Sequence, residues 1–450
     1  MPIFSNIKIN TMRIFALLFL SSFSIFSIAQ TSIGGIINDY SAVNFIDACE
    51  GKILVSNAAP YNVNDKILII QMQGATINED NSSSFGDILD IRSTGLFEIS
   101  TIIAKNGDTL LIENRLLNEY DIDGSVQVVS YPEFDNAMIT SELTAMPWNG
   151  TIGGVLAFSV ANDLTFNADI NITGDGFRGG TSVSNTNNCT GAFNNANQYF
   201  YSFGNWRGAQ KGEGIAIKIM DKQNGRGAQA NGGGGGNDHN SGGGGGGNVS
   251  AGGMGGERIS NFISGDCRGN NPGEAGKFFP REANRVFMGG GGGAGHANNG
   301  MGENGGNGGG ILIAQVTRVI GEGFAINSNG IGTNEIALGD GAGGGGAGGS
   351  IIFLWDEMTT PISISAFGGK GADVDNDLSN SCFGPGGGGS GGYVFTSGPI
   401  TTIDVSGGQN GLSTRSSRGN CGANDATPGQ PGIVVNDLST IPEGLSLIHI

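Results

Sequence analysis

The chain has 450 residues, 85 of them Gly, and carries 40 acidic against 22 basic residues for a formal net charge of −18. Glycine far exceeds the usual ~7 %, but it does not recur at every third position and there are only 12 Pro, which excludes collagen, while the β-branched runs between the glycines argue against one disordered tail. Nucleic acid is excluded as a partner, because a phosphate backbone is bound by clustered Lys and Arg and the basic residues here are dispersed.

Residues 12–29, "MRIFALLFLSSFSIFSIA", combine Arg13, an apolar stretch from Ile14 to Ile28, and small Ser27 and Ala29 before Gln30. This is the pattern of a signal peptide, so 1–29 is expected to be removed and the mature chain to be secreted or held at the cell surface. The apolar stretch is shorter than the ~20 residues of a stable span and no later segment is longer, so no transmembrane span is expected. Removal would delete Lys8 and Arg13 and no acid, leaving a more acidic mature chain suited to calcium or a cationic surface.

From 30 to 150 the composition is ordinary, with 9 of the 85 glycines. The apolar runs "KILVS" (52–56), "KILIIQM" (66–72), "LFEISTII" (96–103), "TLLIE" (109–113) and "VQVVSY" (126–131) are separated by turn sequences such as "NGD" (106–108) and "DIDGS" (121–125). Short β-rich runs between turns predict a small β-sandwich or barrel over 30–150.

From 151 to 444 a unit recurs in which a glycine cluster precedes two strand-like runs and a Gly/Asn-rich return. It starts at Gly153, Gly309, Gly348 and Gly391, with an insert at about 177–308 holding "NGGGGGNDHNSGGGGGGN" (231–248) and "GGGGGAGHANNG" (289–300). Such spacing predicts a glycine-rich β-repeat domain, a β-solenoid or a β-sandwich with polyglycine-II-like packing. Pure glycine buries no side chain and loses the most entropy on ordering, so the runs are either loops or segments whose N–H and C=O groups pair laterally. The final "LSLIHI" (445–450) matches a sequencing-adapter end and is set aside as a scar, and His449 with it.

The candidate chemistry is sparse. "DVDND" places Asp373, Asp375 and Asp377 at alternate positions, hard oxygen ligands that suit a structural calcium, against the alternative of a solvated acidic turn. His239 and His296 lie in glycine runs with no ligand partner at i+2 to i+4, and read as hydrogen-bonding surface residues. "GGSGG" around Ser390 lacks the strand, helix and histidine of a nucleophile elbow. The segment 192–208 gathers Phe193, Tyr199, Phe200, Tyr201, Phe203 and Trp206; Tyr199, Tyr201 and Trp206 are the candidate sugar contacts, and the same rings could instead form the insert's core. Of the five cysteines, Cys382 with Cys421 and Cys189 with Cys267 are the disulfide candidates, leaving Cys49 over.

The segments "DKILIIQMQGA" (65–75), "FGDILDIRSTGLFEISTI" (85–102), "LTAMPWNGTIGGVL" (143–156), "GFRGG" (176–180) and "GRGAQANGGGGGNDHNSGGGGGGN" (225–248) resemble the secreted, glycine-rich, adhesin-like surface proteins of Bacteroidota-type bacteria. That resemblance implies export by the type IX route and a C-terminal sorting or gliding-motility domain beyond this sequence. It implies no catalytic residues. The glycine runs around 348–369 are also similar, in architecture alone, to the glycine-rich ectodomain of the anaplastic lymphoma kinase receptor. The expected function is therefore an exported, non-enzymatic, adhesin-like or structural protein that meets extracellular polysaccharide or other surface proteins. The alternative is a carbohydrate-binding module, or an accessory part of a polysaccharide-degrading enzyme, using the aromatic insert.

Overall fold

The computed structural model describes residues 30–182, 197–260, 269–280, 282, 284–298, 302–333, 335–419 and 421–436. Residues 1–29, expected to be a signal peptide, Cys189, Phe193, Cys267 and the 445–450 tail lie outside the described residues. The fold is nearly all β. In chain order the first part gives β1 (Thr31–Ile36), β2 (Tyr40–Asp47), β3 (Lys52–Val55), β4 (Lys66–Gln71), β5 (Thr76–Ile77), β6 (Ile88–Asp90), β7 (Phe97–Asn106), β8 (Thr109–Ile112), β9 (Val126–Ser130), β10 (Glu133–Phe134) and β11 (Ala137–Thr144). The glycine-rich part gives β12 (Val155–Phe166), β13 (Ile170–Asn171), β14 (Ile259–Ser260), β15 (Ile311–Ile320), β16 (Ala325–Asn327), β17 (Ile336–Leu338), β18 (Ser350–Thr360), β19 (Ser363–Ser365), β20 (Asp373–Asp375), β21 (Ser381–Cys382), β22 (Tyr393–Thr396), β23 (Thr402–Asp404), β24 (Ser413–Thr414) and β25 (Ile433–Val435). No helix among the described residues is long and apolar enough to cross a membrane.

Strands β2, β3, β8, β7, β4 and β9 close into a six-stranded antiparallel barrel, so the five apolar runs read from the sequence are all barrel strands. Their patterns follow from what each face meets. In β4, Ile67 and Ile69 point into the barrel core with Val43, Ile53 and Val128, whereas Leu68 and Ile70 point outward into a second core. Both faces are buried, which is why "ILII" (67–70) is continuously apolar instead of alternating.

That second core is shared with a large, mainly parallel sheet. Its central strands pair in parallel along one register line, Val155 with Ile311, Ile311 with Ser350, Ser350 with Tyr393 and Tyr393 with Ile433. Val155, Ala157, Ile311, Ile313, Ile352 and Phe395 face the barrel side, and Leu156, Phe158, Leu312, Phe353 and Val394 face a further core closed by Ile170, Ile326 and Ile364. These last three sit on a second row of parallel strands, β13, β16, β19 and β23, and a third row is formed by β17, β20 and β24. Strands β1 and β11 join the large sheet, so the barrel itself spans β2 to β9.

The glycine runs are buried and hydrogen-bonded to one another. The N–H groups of Gly243 and Gly246 donate to Ala342 and Gly345, those of Gly244 and Gly247 to Gly234 and Asn231, and those of Gly242 and Gly245 to Gly256 and Gly253. Residues three apart thus reach the same neighbouring segment, and successive residues turn to a new one. That is the bonding of a threefold extended chain, in which the backbone groups satisfy each other without a sheet. It requires glycine: a Cβ on Gly244 would lie 2.0 Å from the Glu274 carbonyl oxygen, and one on Gly293 2.0 Å from that of Gly234.

Candidate functional site

The same lattice assembles the one group of metal-ligating side chains found among the described residues. The run 289–296 lies antiparallel to the run 241–247, with Gly290 N–H donating to Gly247, Gly293 to Gly244 and His296 to Ser241. Beyond Ser241 the register ends in a turn, with the Ser241 N–H donating to Asn237 and Asn240 at positive φ, and the turn brings His239 beside His296, with ring centroids 6.1 Å apart. Asp238, His239 and His296 are 0 %, 4 % and 2 % exposed. The expectation that both histidines lie at the surface is therefore overturned, because the 238–240 turn and His296 are enclosed between the glycine runs and the Trp206 segment.

Asp238 Oδ1 is 3.3 Å from His239 Nδ1 and 3.9 Å from His296 Nε2. Neither carboxylate oxygen of Asp238 has a hydrogen-bond partner among the described residues. Burial pushes the Asp238 carboxyl up to about 6 and the two imidazoles down, His239 to about 3 and His296 to about 4, so both rings are neutral at pH 7. His296 Nε2 is 2.8 Å from the Trp206 carbonyl oxygen, which can only accept, and its Nδ1 accepts the Asn240 N–H at 3.0 Å. The network therefore puts the proton of His296 on Nε2. Asn240 Oδ1 also faces His296 Nδ1, at 3.3 Å, while its Nδ2 donates to Asn298 and Gly339.

The acidic triplet is arranged differently. Asp373 and Asp375 lie on one face of β20 with buried Val374 between them. Asp373 accepts Lys370 Nζ at 2.6 Å and the Leu412 N–H, and Asp375 accepts Arg415 at 2.5 Å and the Asp377 N–H. Each of these two carboxylates is matched by a cation, and Asp377 stays exposed.

The aromatic segment splits between packing and surface. Tyr201 is 9 % exposed, Phe200 packs on Phe85 at 5.4 Å, and Arg226 and Arg207 stack on Tyr199 and Trp206 at 5.0 and 4.6 Å. Among the described rings of the segment, Phe203 is the exposed one, at 59 %. Lys211, 3 % exposed, anchors this segment: its Nζ donates to the carbonyls of Tyr199, Gly225 and Gly227 and lies over the Phe85 ring. Ser390 is fully buried in the lattice and its hydroxyl donates to the Gly391 carbonyl. Cys382 and Cys421 are disulfide-bonded, and Cys49 is a free, exposed thiol.

One surface feature was not legible in the sequence. A cavity of about 520 Å³ lies between the Asp87–Ile91 segment and the 277–285 segment, with Leu89, Phe278, Asp90 and Arg285 among its lining residues. Leu89 and Phe278 are 67 % and 63 % exposed. These two segments are almost 200 residues apart in sequence, and only the docking of the glycine-rich part on the barrel brings them together. No protein-family model, curated protein or solved structure matches the chain.

Proposed function

We propose that this chain is the displayed part of an exported, non-enzymatic, adhesin-like surface protein, in which a β-barrel rides on a glycine-rich repeat scaffold of polyglycine-II type. The observation that carries the reading is the lattice: glycine runs from well-separated parts of the sequence are bonded laterally in three directions, a construction whose product is rigidity and not a reactive cleft. The in-register parallel strands that follow the runs support a scaffold that grows by stacking units. The leader-like 1–29 segment and the resemblance to bacterial surface proteins supply the location.

The test is to express the full-length gene in its host with an epitope after Gly323, in an exposed turn, and to probe intact cells. Antibody labelling and protease shaving of whole cells are expected to reach it, and a deletion strain is expected to attach less to its surface or to neighbouring cells. Retention of the protein inside the cell, or release of sugars from a polysaccharide panel by the purified chain, would overturn the reading.

A second reading, glycan binding, is favoured by the cavity lined by Leu89 and Phe278, where an apolar floor beside Asp90 and Arg285 offers stacking together with hydroxyl recognition. Glycan-array binding that is lost in Phe278→Ala and kept in Trp206→Ala would assign it to this cavity. The converse result would assign it to the aromatic segment.

A further inference from the structure

We propose that Asp238, His239 and His296 form a buried site for one divalent transition-metal ion, zinc by its ligand chemistry, which pins two glycine runs together at the end of their shared register. Three observations converge on it. The donor set is one carboxylate oxygen and two imidazole nitrogens, which suits zinc and the later first-row metals and not calcium. The donor atoms lie within 4.8 Å of one another, with Asp238 Oδ1 3.3 and 3.9 Å from the two nitrogens, close to the ~3.4 Å that separates ligands around a tetrahedral ion at ~2.1 Å. The Asp238 carboxylate, wholly buried, has no hydrogen bond to either oxygen among the described residues, and a buried carboxylate is costly unless something compensates it.

The surroundings offer His296 a ligand arrangement through a small rearrangement of its ring. To coordinate through Nε2, His296 must carry its proton on Nδ1, and the ring must find an acceptor there. Asn240 Oδ1 is at 3.3 Å from Nδ1, and its orientation is held by the two bonds of Nδ2 to Asn298 and Gly339. Without metal, Nε2–H donates to Trp206 and Nδ1 accepts the Asn240 N–H; zinc on Nε2 requires the ring to turn out of both bonds so that Nδ1–H meets Asn240 Oδ1. The Trp206 carbonyl oxygen, 2.8 Å from Nε2, occupies the direction a metal on Nε2 would take, so the ring must swing off it for zinc to enter. Arg207 and Arg258 act on Asp238 through space and oppose a dication. They define the rival role, in which Asp238 is only their counter-charge.

The chain is expressed without a polyhistidine tag, in defined medium supplied with equimolar zinc, nickel, copper and manganese, and its metal content is measured after gel filtration. About one zinc per chain is expected, with X-ray absorption showing two imidazole ligands, and calcium in hundredfold excess should not displace it. Asp238→Asn and His296→Gln should each retain under a tenth of that zinc, while Asp373→Asn retains all of it. A wild-type chain that emerges without stoichiometric metal overturns the proposal whatever the variants do. Zinc that survives in folded Asp238→Asn overturns it as well, and so does zinc lost equally in Asp373→Asn.

Discussion

At the scale of single residues, glycine in the runs is used for the approach of backbone to backbone and not for turns. Gly244 illustrates it, because a methyl group there would overlap the Glu274 carbonyl, which cannot move without breaking its own bond to Gly234 N–H. Gly244→Ala is expected to cost at least about 3 kcal/mol in urea unfolding, whereas Gly398→Ala, whose methyl would meet only the Trp355 ring at 3.5 Å, should cost less than about 1 kcal/mol. Asp175 gives a pH signature. Burial raises its carboxyl from 3.8 to about 6, against bonds from Thr144 and Ala145 that lower it, so the native state holds this proton more tightly than the unfolded chain. Stability contributed by this group is complete below pH 4 and is lost as pH rises through about 6. Asp175→Asn should therefore remove a stability loss of about 1–3 kcal/mol between pH 4.5 and pH 7.5, read from urea midpoints across that range.

At the scale of elements, barrel strands were legible because each is a short apolar run between turn residues. The runs 52–56, 66–72, 96–103, 109–113 and 126–131 became β3, β4, β7, β8 and β9. The pairing of Cys382 with Cys421 was legible as one of two candidate pairs, and it ties β21 to the loop after β24 across 39 residues. Closing a loop of that length is worth about 2–4 kcal/mol, so Cys382→Ala/Cys421→Ala should unfold at lower urea by that amount, and reduction of the wild type should reproduce the shift. What was not legible is which glycine run lies beside which. A run of identical residues carries no register in its own sequence, so the partnership of His296 with Ser241, and hence the approach of His239, is decided by the Asn, Ser and strand residues at the ends of the runs. Asn231 and Asn248 do part of this: Asn231 receives the Ile215 N–H and donates to Gly247, and Asn248 donates to Gly348. The β20 acids were visible as a pattern and Lys370 lies three residues before Asp373, but Arg415, which matches Asp375, was identifiable only once β20 and β24 were paired.

At the scale of the whole molecule, one apolar core joins barrel strand β4, the sheet strands β12, β15, β18 and β22, and the insert residues Ile215, Phe279 and Phe287. Unfolding is therefore expected to be cooperative across the parts. Leu68→Ala, costing about 2–5 kcal/mol, should weaken amide protection in the lattice segment 231–247 as well as in 52–71, measured by hydrogen exchange and mass spectrometry. Loss confined to the barrel peptides would mean two independent units. The three-way bonding of Gly242 to Gly247 has a mechanical consequence as well. A β-sheet resists being pulled apart in its own plane but peels readily across it, whereas a bundle whose chains are tied to neighbours on three sides has no weak plane. A tether built this way would bear load arriving from any sideways direction, as drag on a cell does when the flow around it changes.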